Sequence, residues 1–391
     1  MNNEWFINID DCCGCTACEQ ICPTRCITMQ ENTEGFLVPS KDTVRCIDCH
    51  LCENVCQVNK PFESKSQDSL TTYMCRTLDQ NLLEASSSGG LFYHLATSVI
   101  NRGGIVYGAA FDEIWNVKHL AVETIKDLHL LRGSKYVESY LGTSYADVKK
   151  QLSNNRLVLF TGTPCQIAGL NHFLKHDYPN LITVDIMCHG VPSPRVWQRY
   201  LAYNTKQKIT DISFRSKAFG WNKYALKITS DSIVQIHESH QDNIFMRGFL
   251  SNLYNRTSCS NCPARGFNTQ SDIMIGDFWE LDDIEYLQSD NRGMSLILVF
   301  SQKGREILNM IKSELFIHEI DLAQVTTRHM HDSLYRSAPK HMGRSVFFHE
   351  FAIHTNVNKL IVKSLSYPKI SIKKRIFRFI KMILRKLKVM K

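Results

Sequence analysis

No run of eighteen apolar residues occurs in the 391-residue chain, so no ordinary transmembrane helix is expected. Glycine (19) and proline (10) are scarce, which excludes a low-complexity or collagen-like chain. The opening MNNEWFINIDDCC is acidic and has no apolar core, so no secretory signal peptide is expected. The Walker A, HExxH and GxSxG patterns are absent, as is any Ser–His–Asp arrangement. GxGxxG is also missing, so a nicotinamide site of the ordinary Rossmann type is unsupported. Residues 351–391 hold twelve Lys or Arg and no Asp or Glu. The remaining 350 residues carry 34 basic and 38 acidic side chains, so the net charge of +8 belongs to the tail and the body is mildly acidic. A basic nucleic-acid-binding core is therefore not expected, and nucleic acid is not an expected partner.

What is present is globular: 43% hydrophobic, 10% aromatic and 21% charged residues. Fifteen cysteines without a signal peptide point to a reducing, cytoplasmic compartment and to metal ligation rather than disulfides. Ten of them fall within residues 12–56, which marks residues 1–60 as a separate module. The polar stretch from Gln57 to Ser69 reads as a linker, set at 61–70. Residues 71–345 alternate in the manner of an α/β domain. Runs 103–111, 156–164, 181–190 and 294–300 read as buried strands, and 88–101, 144–153 and 193–204 as helices. Residues 346–391 form a basic amphipathic tail. The predicted fold class is α/β (α+β), with a small cysteine-dense domain leading a larger mixed α/β domain.

The pattern C-x2-C-x2-C-x3-C occurs at Cys12, Cys15, Cys18, Cys22 and again at Cys46, Cys49, Cys52, Cys56. Three cysteines at i, i+3 and i+6 wrap one face of a cubane, and the fourth has left that loop. Gly14, Thr16 and Ala17 are small enough to let backbone N–H groups approach inorganic sulfur. Over residues 5–58 the chain resembles a bacterial ferredoxin with two 4Fe-4S clusters. In that arrangement the fourth cysteine ligates the other cluster. The resemblance assigns Cys12, Cys15, Cys18 and Cys56 to one cluster and Cys46, Cys49, Cys52 and Cys22 to the second. The competing reading is a pair of zinc knuckles, which normally draw on distant cysteine pairs. Gln57 stands where Pro23 follows the first run, a departure from the repeat. Cys13 and Cys26 lie outside the spacing and read as bystanders.

Four more cysteines, Cys165, Cys188, Cys259 and Cys262, could close a further tetrahedral or cubane site, or remain free buried thiols. Two of them follow strand-like runs, where α/β proteins place their sites. SSSGGLF (86–92), LRGSKYVES (131–139), GTPCQIAGL (162–170), CHGVPSP (188–194), FRSKAFGW (214–221) and SDIMIGDFW (271–279) occur in this order. Together they resemble the coenzyme F420 hydrogenase/dehydrogenase beta-subunit family, of the bacterial type associated with polysaccharide biosynthesis. The resemblance implies FAD and favours Cys165, Cys188, Cys259 and Cys262 as ligands of a third 4Fe-4S cluster.

The flavin contacts are expected at Ser87, Ser88, Gly89 and Gly90, which open a helix whose N–H groups can meet phosphate or a ring carbonyl, and at Ser134 and Lys135. Each has a bland alternative: a helix cap and turn, or a surface lysine. Arg215 and Lys217 are a second candidate anion contact, and Asp277 a ribose contact or turn cap. His189 reads as a satisfied core histidine, and no proton-transfer residue can be assigned. The expected function is an iron–sulfur flavoprotein oxidoreductase that exchanges electrons with a redox partner protein or a small-molecule hydride carrier such as coenzyme F420. The alternatives are a non-enzymatic electron-transfer subunit and a redox enzyme acting on a sugar precursor. In residues 371–391, Ile372, Ile376, Phe379, Ile380, Ile383 and Leu387 share one helical stripe opposite the cations. That pattern suits an anionic membrane surface at the inner face of the membrane, or packing against protein.

Overall fold

The computed structural model describes residues 6–67, 70–279, 290–325 and 334–367. The amphipathic stripe at 371–391 lies outside the described residues. The N-terminal module places helix α1 (Ala17–Ile21) after the first cysteine run and α2 (Leu51–Asn54) inside the second. Between them an antiparallel hairpin, β1 (Ile27–Glu31) and β2 (Leu37–Lys41), separates the runs. Both runs bend in the same way. Gly14 and Thr16 have φ of 69° and 59°, and the equivalent Asp48 and His50 have 49° and 56°. Left-handed residues at alternate positions curl the backbone so that successive amides face inward, the form of an anion-binding nest.

The larger domain is built on nine strands. In chain order these are β3 (Thr71–Thr77), β4 (Ile105–Phe111), β5 (Val117–Val122), β6 (Ser139–Tyr140), β7 (Val158–Gly162) and β8 (Leu181–Ile186). After a separate antiparallel sheet of β9 (Ile209–Ser216), β10 (Ala225–Ser230) and β11 (Ile233–Ser239) come β12 (Ile273–Asp277), β13 (Ser295–Val299) and β14 (Leu315–Glu319). The order across the main sheet is β14-β3-β13-β12-β8-β7-β4-β5-β6. Its centre, β12-β8-β7-β4, is parallel. Strands β13, β3 and β14 extend it antiparallel on one side and β5 on the other. The parallel centre explains the apolar runs VLF and LITV, which are buried on both faces. It also brings four strand C-termini to one edge, where such sheets hold their ligands.

The expected strands are present but shorter. Gly103 turns left-handed before β4, Thr163 caps a helix after β7, and Cys188 to Gly190 have left the sheet after β8. The expected helices appear as α4 (Leu91–Asn101), α5 (Ser144–Ser153) and α7 (Pro194–Asn204). They are joined by α3 (Gln80–Glu84), α6 (Pro164–Leu174), α8 (Ile244–Leu250) and α9 (Gln302–Ile311). The mixed α/β class holds, and two features differ from the sequence-based outline. The linker is laid along the domain: Phe62 stacks on His172 at 4.0 Å and Lys65 donates to Ser271 O at 2.7 Å. Helices Arg344–Phe351 and Val357–Leu365 share a core with α7 and α8, so the boundary drawn at 345 falls within the first of them.

Candidate functional site

The structure gathers the cysteines into sets that cross between segments. Cys18 lies within electrostatic reach of Cys12, Cys15 and Cys56, so the last cysteine of the second run joins the first loop. In the other half, Cys52 neighbours Cys49, while Cys26 neighbours both Cys22 and Cys46. Cys26 is no remote bystander, for its sulfur is 3.4 Å from that of Cys22. Cys49 is exposed, whereas Cys12, Cys15 and Cys18 are partly buried.

The cysteines of the larger domain also converge. Cys188 has Cys259, Cys165 and Cys262 as neighbours, and Cys262 has Cys165 and Cys259. Three segments supply them. Cys165 sits in the first turn of α6, whose start is fixed by a capping box between Thr163 and Gln166. Cys188 follows β8, Cys259 lies within the short turn Thr257–Asn261 and Cys262 follows it directly. Burial pushes the thiols of Cys259 and Cys262 up to about 12 and that of Cys188 well above its usual range. Those three thiols stay protonated at neutral pH unless a metal compensates the charge, and a bound metal would deprotonate them outright. Among the described residues no three Cys, His, Asp or Glu side chains close on the point a single ion would occupy. Four cysteines are the donor set that a 4Fe-4S cluster takes, and also that of a tetrahedral zinc site.

The two cysteine-bearing regions are locked together by buried polar side chains. Arg256, next to the Cys259–Cys262 turn, forms a bidentate pair with Glu138 at 2.6 and 2.9 Å. The same guanidinium donates to Cys12 O at 2.9 Å and Leu37 O at 2.7 Å. Arg344 likewise grips Glu34. Gln20 Oε1 accepts from the N–H groups of Tyr145 and Ala146, capping α5 from the small module. Ala17 and Val55 join Ile105, Tyr145 and Ile167 in one apolar cluster.

A cavity of about 430 Å³ opens at the C-terminal ends of the parallel strands, within the range of small-molecule sites. Ser87, Ser88, Gly90, Ser134 and Lys135 line it, and so does Cys188. Gly90 is left-handed (φ 86°) and starts α4 without a side-chain cap. Gly89 does not face the cavity. Its N–H donates to Ser295 Oγ at 2.9 Å, and a Cβ there would strike Cys75 O. Lys135 Nζ donates only to the carbonyls of Arg132 and Gly133, and burial lowers its pKa to about 7. One terminal nitrogen of Arg132 is buried without a partner. Neither cation has a carboxylate partner among the described residues, so the cavity is suited to an anionic ligand.

The second candidate anion contact does not form. Arg215 is neutralised by Asp277 at 2.7 and 3.0 Å, and it also donates to Ser87 O. Lys217 donates to three carbonyls, those of Leu83, Ser88 and Arg292, which fixes the SSSGG turn from behind. Asp277 also accepts from Trp221 Nε1 at 3.1 Å, and Trp221 stacks on Trp279 at 4.5 Å. Charge neutralisation decides these roles, which no local spacing reveals. His189 faces the cavity with Nε2 buried and unbonded. His119, which no sequence pattern singled out, also lines the cavity. Its Nε2 is 3.0 Å from Thr161 O and must donate, so Nδ1 accepts from the Ser139 hydroxyl. Burial lowers its pKa to about 4, which keeps the ring neutral.

Residues 155–324 match the family described as the C terminus of the beta subunit of coenzyme F420 hydrogenase/dehydrogenase. A relative, the F subunit of F(420)H(2) dehydrogenase of Methanosarcina mazei, is 22% identical over 328 residues, 80% of this chain and 86% of its own length. The F420-reducing [NiFe] hydrogenase complex from Methanosarcina barkeri includes a chain with 15% identity and a TM-score of 0.46, over 78% of this chain and 89% of that one. The resemblance drawn from the six motifs holds, and the segment that is similar to this family carries four of them.

Proposed function

We propose that the chain is an iron–sulfur flavoprotein oxidoreductase with two 4Fe-4S clusters in its N-terminal module, a third on Cys165, Cys188, Cys259 and Cys262, and FAD in the cationic cavity. One observation carries this reading: Cys188 belongs both to the converging thiol set and to the cavity wall. A redox group held by those thiols would adjoin whatever the cavity holds. A bound flavin supplies two-electron hydride exchange and the clusters supply one-electron exchange, so together they join an organic donor to a one-electron carrier.

The chain's own residues then have limited and definable work. Lys135 and Arg132 would offset the charge of a phosphate-bearing ligand, aided by the amides at the start of α4. The Arg215–Asp277 pair holds Ser87 O and so sets the shape of the SSSGG turn. No group in the cavity is assigned a proton-transfer role. The relative from Methanosarcina mazei is named for F420H2 and as a subunit. That name makes coenzyme F420 the first hydride carrier to try and a second redox protein the first macromolecular partner.

The test is anaerobic purification with iron, sulfide and flavin quantified. Near twelve irons and one FAD per chain are expected, with reduction of the visible spectrum by a hydride donor. Stoichiometric zinc, or a protein that cannot be loaded with flavin, would sink the proposal.

A further inference from the structure

Ser139, the first residue of β6, lines the cavity, and its hydroxyl lies 2.7 Å from His119 Nδ1. The direction of that bond is fixed from behind. Thr161 O can only accept, so His119 Nε2, 3.0 Å away, carries the ring proton. The ring is buried, stacks on Phe160 at 5.3 Å and pairs with no carboxylate among the described residues, so it stays neutral. Nδ1 therefore accepts, and the Ser139 hydroxyl gives its proton to it. What Ser139 Oγ keeps for a ligand is lone pairs. Thr161, also on the cavity, likewise gives its hydroxyl proton to Tyr107 O at 2.9 Å. Other lining groups have the opposite polarity. Ser87 Oγ accepts from the Ser134 N–H at 2.8 Å and retains its own proton to donate. Arg132 has a terminal nitrogen without a partner, and Lys135 Nζ meets only carbonyls. Gln166, the residue after Cys165, donates to Ser139 O at 3.3 Å. The acceptor wall is thus tied to the helix turn that carries the third cysteine set.

We propose that Ser139 is a specificity-determining residue, whose oxygen accepts from a ring N–H of the planar heterocycle held in this cavity, while the anionic part of the same ligand lies toward Ser87, Arg132 and Lys135. The inference rests on the flavin reading proposed above. An oxidised isoalloxazine has a single ring N–H, at N3 between two carbonyls, and that is the group Ser139 reads. A ring without a donor there leaves the Ser139 lone pairs buried and unpaired, which is how a polar site rejects an analogue. No bond forms or breaks in this recognition, and no electron moves.

The experiment uses the full chain with its iron retained and its flavin removed, titrated with FAD and with FAD methylated at N3, and followed by flavin fluorescence. The unaltered chain should bind FAD at least about tenfold more tightly than the methylated analogue. Ser139→Ala should bind FAD about fivefold more weakly, the worth of one neutral hydrogen bond, and should lose most of the discrimination. Ser139→Cys keeps the volume with a weaker acceptor, and it carries the same test should the alanine variant fail to fold. Equal binding of the two flavins by the unaltered chain overturns the inference. So does a Ser139→Ala chain that admits the analogue but binds FAD as before, because a methyl clash would then explain the preference. Binding of neither flavin by the unaltered chain overturns the flavin reading itself and this inference with it, a result distinct from equal binding of both.

Discussion

The two cysteine runs share one spacing and one backbone trace, yet the residue after the first cysteine is Cys13 in one and Ile47 in the other. Cys13 is partly buried. Ile47 is 63% exposed, beside Val44 at 92% and the exposed Cys49. Around the first run lie Arg256, Gln57 and helix α6, whereas nothing comparable covers the second among the described residues. The same local code therefore produces two loops that differ in solvent access and in hydrogen bonds to sulfur, the quantities that tune a cluster's potential. On the proposed cluster assignment, the more covered run would suit relay inside the protein and the open run exchange with a partner.

The largest test of that contrast is Arg256→Leu. It leaves the Glu138 carboxylate buried without its partner and frees Cys12 O and Leu37 O. Removing one member of such a pair costs about 3–5 kcal/mol, and thermal unfolding of the full chain should register it. Iron should be lost from the enclosed set first. An unchanged unfolding temperature would show that the clamp carries no weight.

Gly169→Ala is the next largest. The added methyl would lie 2.9 Å from both Cys15 Cβ and the Tyr145 hydroxyl. Overpacking of this kind costs about 1–3 kcal/mol. The spectrum of the first cluster should change while that of the second stays the same. Equal damage to both would erase the proposed difference between the runs.

Lys135→Met probes the cavity beside the third cysteine set. It should weaken FAD binding about tenfold, a loss of about 1.4 kcal/mol, measured by flavin fluorescence. In the unaltered apo chain, affinity for the anionic ligand should fall as pH rises through about 7, where Lys135 loses its charge. The variant should show a flatter profile. Folding is affected in the opposite direction. The unfolded lysine holds its proton up to its ordinary value near 10.5, so burying it costs stability in full below about pH 7 and progressively less between 7 and 10.5. Removing it should therefore stabilise the apo chain more at pH 6 than at pH 9.

Ile47→Ser should have the smallest effect. Stability should stay within about 0.5 kcal/mol, as for exposed sites generally, and iron content should not change. Reduction by a protein donor should slow if the exposed apolar residues form part of its contact. A full loss of iron would contradict the exposed placement.

Much of this was legible because it is local. The doubled cysteine spacing, the apolar runs of the parallel strands and the helices after them are all written within a few residues. The six motifs could be read as a set, but their contacts could not. FRSKAFGW and SDIMIGDFW meet through Arg215, Trp221 and Asp277, more than fifty residues apart. Lys217 looked like an anion contact because a lysine beside an arginine suggests one, yet three carbonyls claim it. Gln57 looked like a departure from a repeat because its partner, Cys165 O, lies on another domain.

The sequence alone determined which residue types recur at which intervals, and hence the ligand loops, the strand and helix types and the family likeness. Those features follow from backbone periodicity and side-chain chemistry, which act over a few residues. Only the tertiary structure decided that Cys165, Cys188, Cys259 and Cys262 converge, that Cys188 faces the cavity and that Gln57 reaches Cys165 O. Those facts depend on where the parallel strands end and on how α6 and Arg256 seat the small module. Packing and charge pairing between residues distant in the chain fix both, and no spacing within one segment encodes them.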